Sequence, residues 1–120
     1  MPEPTPADLS DRAAEAIRSL NHATLSHPNL GWVYPGDAYS TVANLYALAR
    51  MLPQAISQID SFIAGLNEDE HLRSDKGEAD LPGRLVGLHL ALADAAGQAT
   101  ALGRALDNAH QLLGPVAYKD

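Results

Sequence analysis

Between Val42 and Leu66, apolar residues recur at alternating steps of three and four: Val42, Leu45, Ala49, Leu52, Ile56, Ile59, Ile63 and Leu66. The same alternation runs from Leu85 through Leu88, Leu92, Ala95, Ala99, Leu102, Leu106 and Ala109 to Leu113. Two heptad rows of this length specify long helices packed side by side at a shallow angle. At 1.5 Å per residue, each helix approaches about 45 Å. Composition agrees: Ala and Leu supply 39 of 120 residues, whereas β-branched residues are few.

The ends of the helices follow from local chemistry. In Thr5-Pro6-Ala7-Asp8, Thr5 can cap, proline fits the first turn, and Asp8 suits the positive helix end. Leu9, Ala13, Ala16, Leu20 and Ala23 continue a first helix over about 6–24, some 30 Å long. Pro28, Asn29 and Gly31 place a loop at 25–36. The second helix is predicted over about 38–66, capped by Asp37 and bent near Pro53, which deletes one ladder bond. The third is predicted over about 82–113, capped by Asp80 and stopped by Gly114-Pro115, with a short tail at 114–120. Gly87, Gly97 and Gly103 are expected to be tolerated inside it for close helix approach. Residues 67–80 hold six acids and two bases, and should be mobile and solvated.

The predicted fold is all-α: a single domain forming an elongated three-helix antiparallel bundle with two long heptad-patterned helices. The short first loop should fold helix 1 along the N-terminal half of helix 2. The C-terminal half then lacks a third helix, yet carries a second apolar row, Leu48, Ala55 and Phe62. Such a row in water marks an interface, so a two-fold homodimer is expected through it. The alternative cover is the loop or the C-terminal tail.

The chemistry-bearing motifs are missing. There is no phosphate-binding glycine loop, no dinucleotide fingerprint, no zinc-protease motif and no nucleophile elbow. The acidic segment fails as a calcium loop: with Gly77 at the sixth position, Leu72 and Lys76 stand where oxygen ligands belong. Without cysteine there is no disulfide, thiolate metal site or thiol nucleophile. His89 and His110 share a helix face but lie about 32 Å apart, and His22 and His27 do not have helical ligand spacing. The heptad rows contain no polar residue for catalysis within a bundle core. No cofactor or metal is expected, and the protein reads as no enzyme.

A net charge of -7 argues against nucleic-acid binding. The most apolar window, 85–96, contains His89 and Asp94 and is too short to span a bilayer. The acidic, proline-rich start lacks the blocks of a signal peptide, so the chain reads as cytoplasmic. Four of its six aromatics, Trp32, Tyr34, Tyr39 and Tyr46, fall within fifteen residues, near His22 and Asp37. They suit a partner or ligand surface, or else plug the open end of the bundle.

The stretches Leu20-Asn21-His22-Ala23-Thr24, Tyr34-Pro35-Gly36-Asp37-Ala38-Tyr39 and Leu52-Pro53-Gln54 resemble a group of small helical proteins of actinobacteria. The likeness covers roughly residues 12–66; it implies a helical fold and carries no activity or site residue with it. The chain is also similar in size to the WXG100 class of secreted helical hairpins. However, Trp32-Val33-Tyr34 lacks that class's glycine, and Tyr118-Lys119-Asp120 lacks its C-terminal spacing.

The leading expectation is a non-enzymatic, self-associating helical interaction module that uses residues 21–39 for a protein partner. Two alternatives stand beside it. One is a small-molecule binder or enzyme at the aromatic loop, with His22, Tyr34 and Asp37 as its polar groups. The other is an acidic protein that occupies a partner's basic surface through residues 67–80.

Overall fold

The computed structural model describes residues 2–26 and 31–120. His27 and the Pro28-Asn29 turn expected in the first loop lie outside the described residues. The chain is all-α, an elongated helical bundle 67 Å long. Helix α1 spans Pro6–Ser26 and α2 spans Pro35–Glu68. A 3-10 turn at Glu78–Asp80 leads into α3, Leu81–Leu113. Pairs Tyr39–His110 and Asp60–His89 show that α2 and α3 run antiparallel.

The local signals act much as expected. Thr5 Oγ1 accepts from the N–H of Asp8, and the Asp8 carboxylate accepts from the N–H of Thr5. This reciprocal box satisfies two of the free donors that begin α1. Helix α2 runs unbroken through Pro53. Two of the predicted caps behave differently. Asp37 stands in the first turn of α2, which begins at Pro35, and reaches back to accept the N–H groups of Val33 and Tyr34, both at 2.9 Å. Asp80 stands at the N-cap of α3, but makes no cap bond there. Its carboxylate instead takes the Ser74 hydroxyl and the Arg84 guanidinium, both at 2.6 Å.

That pairing also folds the acidic connection, which was expected to be mobile. The N–H of His71 returns to Leu66 O, that of Gly77 to Ser74 O, and Leu72 is half-buried. Gly77 takes φ +111°, a conformation for which glycine is the natural residue.

Helix α1 departs from expectation. Among the described residues it packs against neither α2 nor α3. Its apolar stripe is mostly alanine, so docking would bury little area for the ordering it requires. Its half-buried residues are Ile17, Leu20, Ala23 and Thr24, while Leu9 remains exposed.

Among the described residues only small ones are buried: Ala49, Ala99 and Gly103, where α2 and α3 approach most closely. A Cβ built on Gly103 would lie 3.9 Å from the Ala49 methyl. Gly87 and Gly97 have no neighbour within 4 Å of such a Cβ, so close packing explains Gly103 alone. Alanine at position 87 or 97 should therefore raise stability by about 1 kcal/mol through helix propensity. Thermal unfolding of the two single variants measures this directly.

The hairpin seam sits one step away from the predicted rows. Its half-buried and buried positions on α2 are Val42, Tyr46, Ala49, Pro53, Ile56, Asp60 and Ile63. On α3 they are Leu85, Leu92, Ala96, Ala99, Gly103, Leu106, His110 and Leu113. Every seventh residue agrees with prediction, and Leu45 and Leu66 are half-buried as predicted, but Leu52, Ile59, Ala95, Leu102 and Ala109 yield their places to the residues that follow them. The seam consequently contains polar groups, contrary to the sequence expectation.

Candidate interaction face

A residue one position before a seam residue is rotated about 100° from it around its helix. In an antiparallel pair, that rotation turns both helices toward the same side of the hairpin. Leu45, Leu52 and Ile59 of α2 therefore share one side with Leu88, Ala95, Leu102 and Ala109 of α3. Ile59 and Leu102 are each about half exposed, at 51% and 50%. Leu48, Ala55 and Phe62, the predicted oligomer row, flank this side on α2. Leu48 is half-buried, Ala55 is exposed, and Phe62 is 65% exposed. The C-terminal tail does not cover them, because Tyr118 packs edge-on against Tyr34 at the other end of the hairpin, 5.2 Å between ring centres.

The opposite side is mixed, carrying Arg50, Asp60, His89, Thr100, Arg104 and Asp107 together with exposed Val86 and Leu90. There His89 Nδ1 and Asp60 Oδ2 pair across the seam at 2.8 Å. A carboxylate-oriented histidine is half of a general-base device, but no hydroxyl is bonded to it among the described residues. The pair acts as an interhelical clamp beside a cleft of about 480 Å³ lined by Ile63, Leu81, Leu85 and Val86. Sequence reasoning missed this pair. Its signal was the placement of Asp60 and His89 directly beside the apolar rows of two different helices.

The aromatic cluster makes contacts within the chain while its rings stay partly exposed. Trp32 Nε1 donates to Thr41 Oγ1 at 3.0 Å, and Thr41 donates in turn to the carbonyl of Asp37. Tyr39 stacks on His110 with ring centres 4.0 Å apart. The Arg50 guanidinium lies 5.6 Å from the Tyr46 ring centre, on the same helix. His22 is exposed on α1, which packs against neither partner helix of the hairpin. Trp32, Tyr34, Asp37 and Tyr39 thus build the start of α2 and fasten it to the end of α3. Among the described residues, no three His, Asp or Glu side chains are grouped to hold a metal ion.

Two carboxylates are held below the ordinary range. The N–H groups of Tyr34 and Val33 do this for Asp37, and the Arg84 guanidinium with the Ser74 hydroxyl for Asp80. A carboxylate depressed on folding stabilises the fold above its unfolded pKa of about 3.9, and that contribution disappears as pH falls through the folded value. Asp37→Asn and Asp80→Asn should each melt below the unsubstituted protein at neutral pH. The gap should close in acid, which melting curves across pH will show.

The segment Glu78–Leu113 is long and apolar enough, by length and composition alone, to cross a membrane. The sequence expectation of too short an apolar window rested on residues 85–96 and overlooked this longer stretch. Only 6% of its apolar window is buried within the chain. No family model, no curated protein and no solved structure matches this chain.

Proposed function

We propose that the protein is a non-enzymatic helical interaction module whose working surface is the apolar side of the α2–α3 hairpin. The observation that carries this reading is the excess of exposed area. A compact monomer of 12.7 kDa exposes about 6,200 Å². This chain exposes 9412 Å², about 3,000 Å² more than that scaling gives, an excess to which the unpacked helix α1 contributes along with the hairpin. A standard interface removes about 800 Å² from each partner. The radius of gyration points the same way, at 19.6 Å against about 14 Å for a compact chain of this length.

The aromatic residues Trp32, Tyr34 and Tyr39 have partners within the chain but stay 39%, 59% and 37% exposed, so they remain a second candidate surface beside the hairpin face. The hairpin side has the properties a docking surface needs: apolar residues in register on two long helices, with the charged groups Arg50, Arg104 and Asp107 on the other side.

Measuring mass and binding of an apolar dye on the same sample tests this. An assembly, or a monomer that binds the dye strongly, supports the reading. A monomer that leaves the dye unbound would overturn it.

A further inference from the structure

Building on the interaction-module reading, we infer that the occupant of the apolar face is a second copy of this chain, stacked face to face with the acidic loops at opposite ends. Charge selects the orientation. Residues 52–97, the loop half of the hairpin, carry eight carboxylates and three bases, a net -5. The open half, residues 31–51 and 98–120, carries three of each and is neutral. With both loops at one end, -5 would face -5 across one helix diameter of about 10 Å, near the screening length of about 8 Å at physiological salt. With the loops opposed, each acidic half lies against a neutral one.

The side chains fit the same arrangement. Opposed loops require a two-fold axis perpendicular to the helices, so α2 packs on α2 of the partner subunit and α3 on its α3. The hairpin pairs Tyr39–His110, Ala49–Gly103 and Asp60–His89 place residue 52 level with about residue 98. Leu52 then sits on the axis against Leu52 of the partner subunit. Leu88 meets Ala109 of the partner subunit, and Ala95 meets Leu102 of the partner subunit. On α3 large residues thus oppose small ones, which lets that strip interdigitate, while on α2 Leu52 and the Leu45–Ile59 pairs bring large apolar side chains together. In the other orientation, Leu52 would face the amide of Gln98 of the partner subunit.

The chain has no cysteine, so single-cysteine variants report the arrangement cleanly. Leu52→Cys should link to itself under mild oxidation, with the covalent dimer as the main species. Thr100→Cys, on the opposite side, should stay unlinked. Mixing Leu45→Cys with Ile59→Cys should give linked heterodimer, a second readout that does not depend on position 52. A dimer in which Leu52→Cys links only to Gln98→Cys would overturn the orientation while leaving the interaction face standing. A dye-binding monomer, or a monomer that moves onto phospholipid vesicles, would overturn the second copy as occupant.

Discussion

Ile59→Asp with Leu102→Asp is expected to abolish the proposed self-association and leave the hairpin folded. Both residues lie on the apolar side, half exposed in a single chain and away from the buried seam. In a two-fold assembly the double variant places four carboxylates where apolar surface was to be buried. Interface residues near the centre of a patch commonly contribute 2 kcal/mol or more. At about 1 to 2 kcal/mol for each substituted site, dissociation should rise by at least about 1,000-fold. Sedimentation should show a monomer across the accessible concentrations, while the helical circular dichroism signal is retained. An unchanged mass would place the interface elsewhere on the molecule. Phe62→Asp alone, at the flank, should weaken assembly less.

The second large effect is expected at the closest approach of the two helices. Ala49 is 1% exposed, and its methyl lies 3.9 Å from the position of a Cβ on Gly103. Ala49→Leu adds three carbons at the closest approach of the two helices, so α2 and α3 must separate or distort unless the side chain turns into the cleft beside Gly103. Overpacking of this kind costs about 1–3 kcal/mol. The upper end is expected here, because among the described residues no second layer of core backs the hairpin to absorb the movement. The midpoint of thermal unfolding should fall by roughly 10 °C or more. Gly103→Ala, which only brings a methyl to ordinary contact distance, should be neutral or stabilising. If Ala49→Leu melted like the unsubstituted protein, either the seam assigned to α2 and α3 would be wrong or the cleft beside Gly103 would have taken the side chain.

These two variants separate two surfaces that the sequence alone runs together. Both apolar rows on each long helix repeat every seven residues, and a heptad pattern cannot by itself say which neighbouring row faces the second helix. Ala49 and Ala99 belong to either reading; Leu52 and Leu102 do not. Small residues decide the choice, since Gly103 beside Ala49 lets the helices close along that line. The Asp60–His89 clamp holds the same register. The rows rich in leucine and isoleucine are thereby rotated outward, and this is why a chain with apolar heptads buries so little by itself.

The candidate site shows the same division. The aromatic cluster was visible in the sequence because its residues are close along the chain, but its partners were not. His110 and Tyr118 lie more than seventy residues away from the rings they meet, and only the antiparallel return of α3 brings them there. The Leu48, Ala55 and Phe62 row was legible from its spacing; Ala55 and Phe62 remain exposed and Leu48 is half-buried. The wider face to which it belongs depends on both helices together.

By itself, the sequence determined what is local. Thr5 and Asp8 set the start of α1, Pro35 and Asp37 the start of α2, and Gly114-Pro115 the end of α3, because caps and prolines act within a few residues of the bonds they satisfy. It likewise determined that α2 and α3 would be long and antiparallel. The tertiary structure decided which apolar row became seam and which became surface, that α1 would stand off the hairpin, and that the acidic loop would fold through Asp80, Ser74 and Arg84. Those outcomes depend on the shape and charge of surfaces brought together from distant parts of the chain, and periodicity along one helix carries no record of the face it will meet.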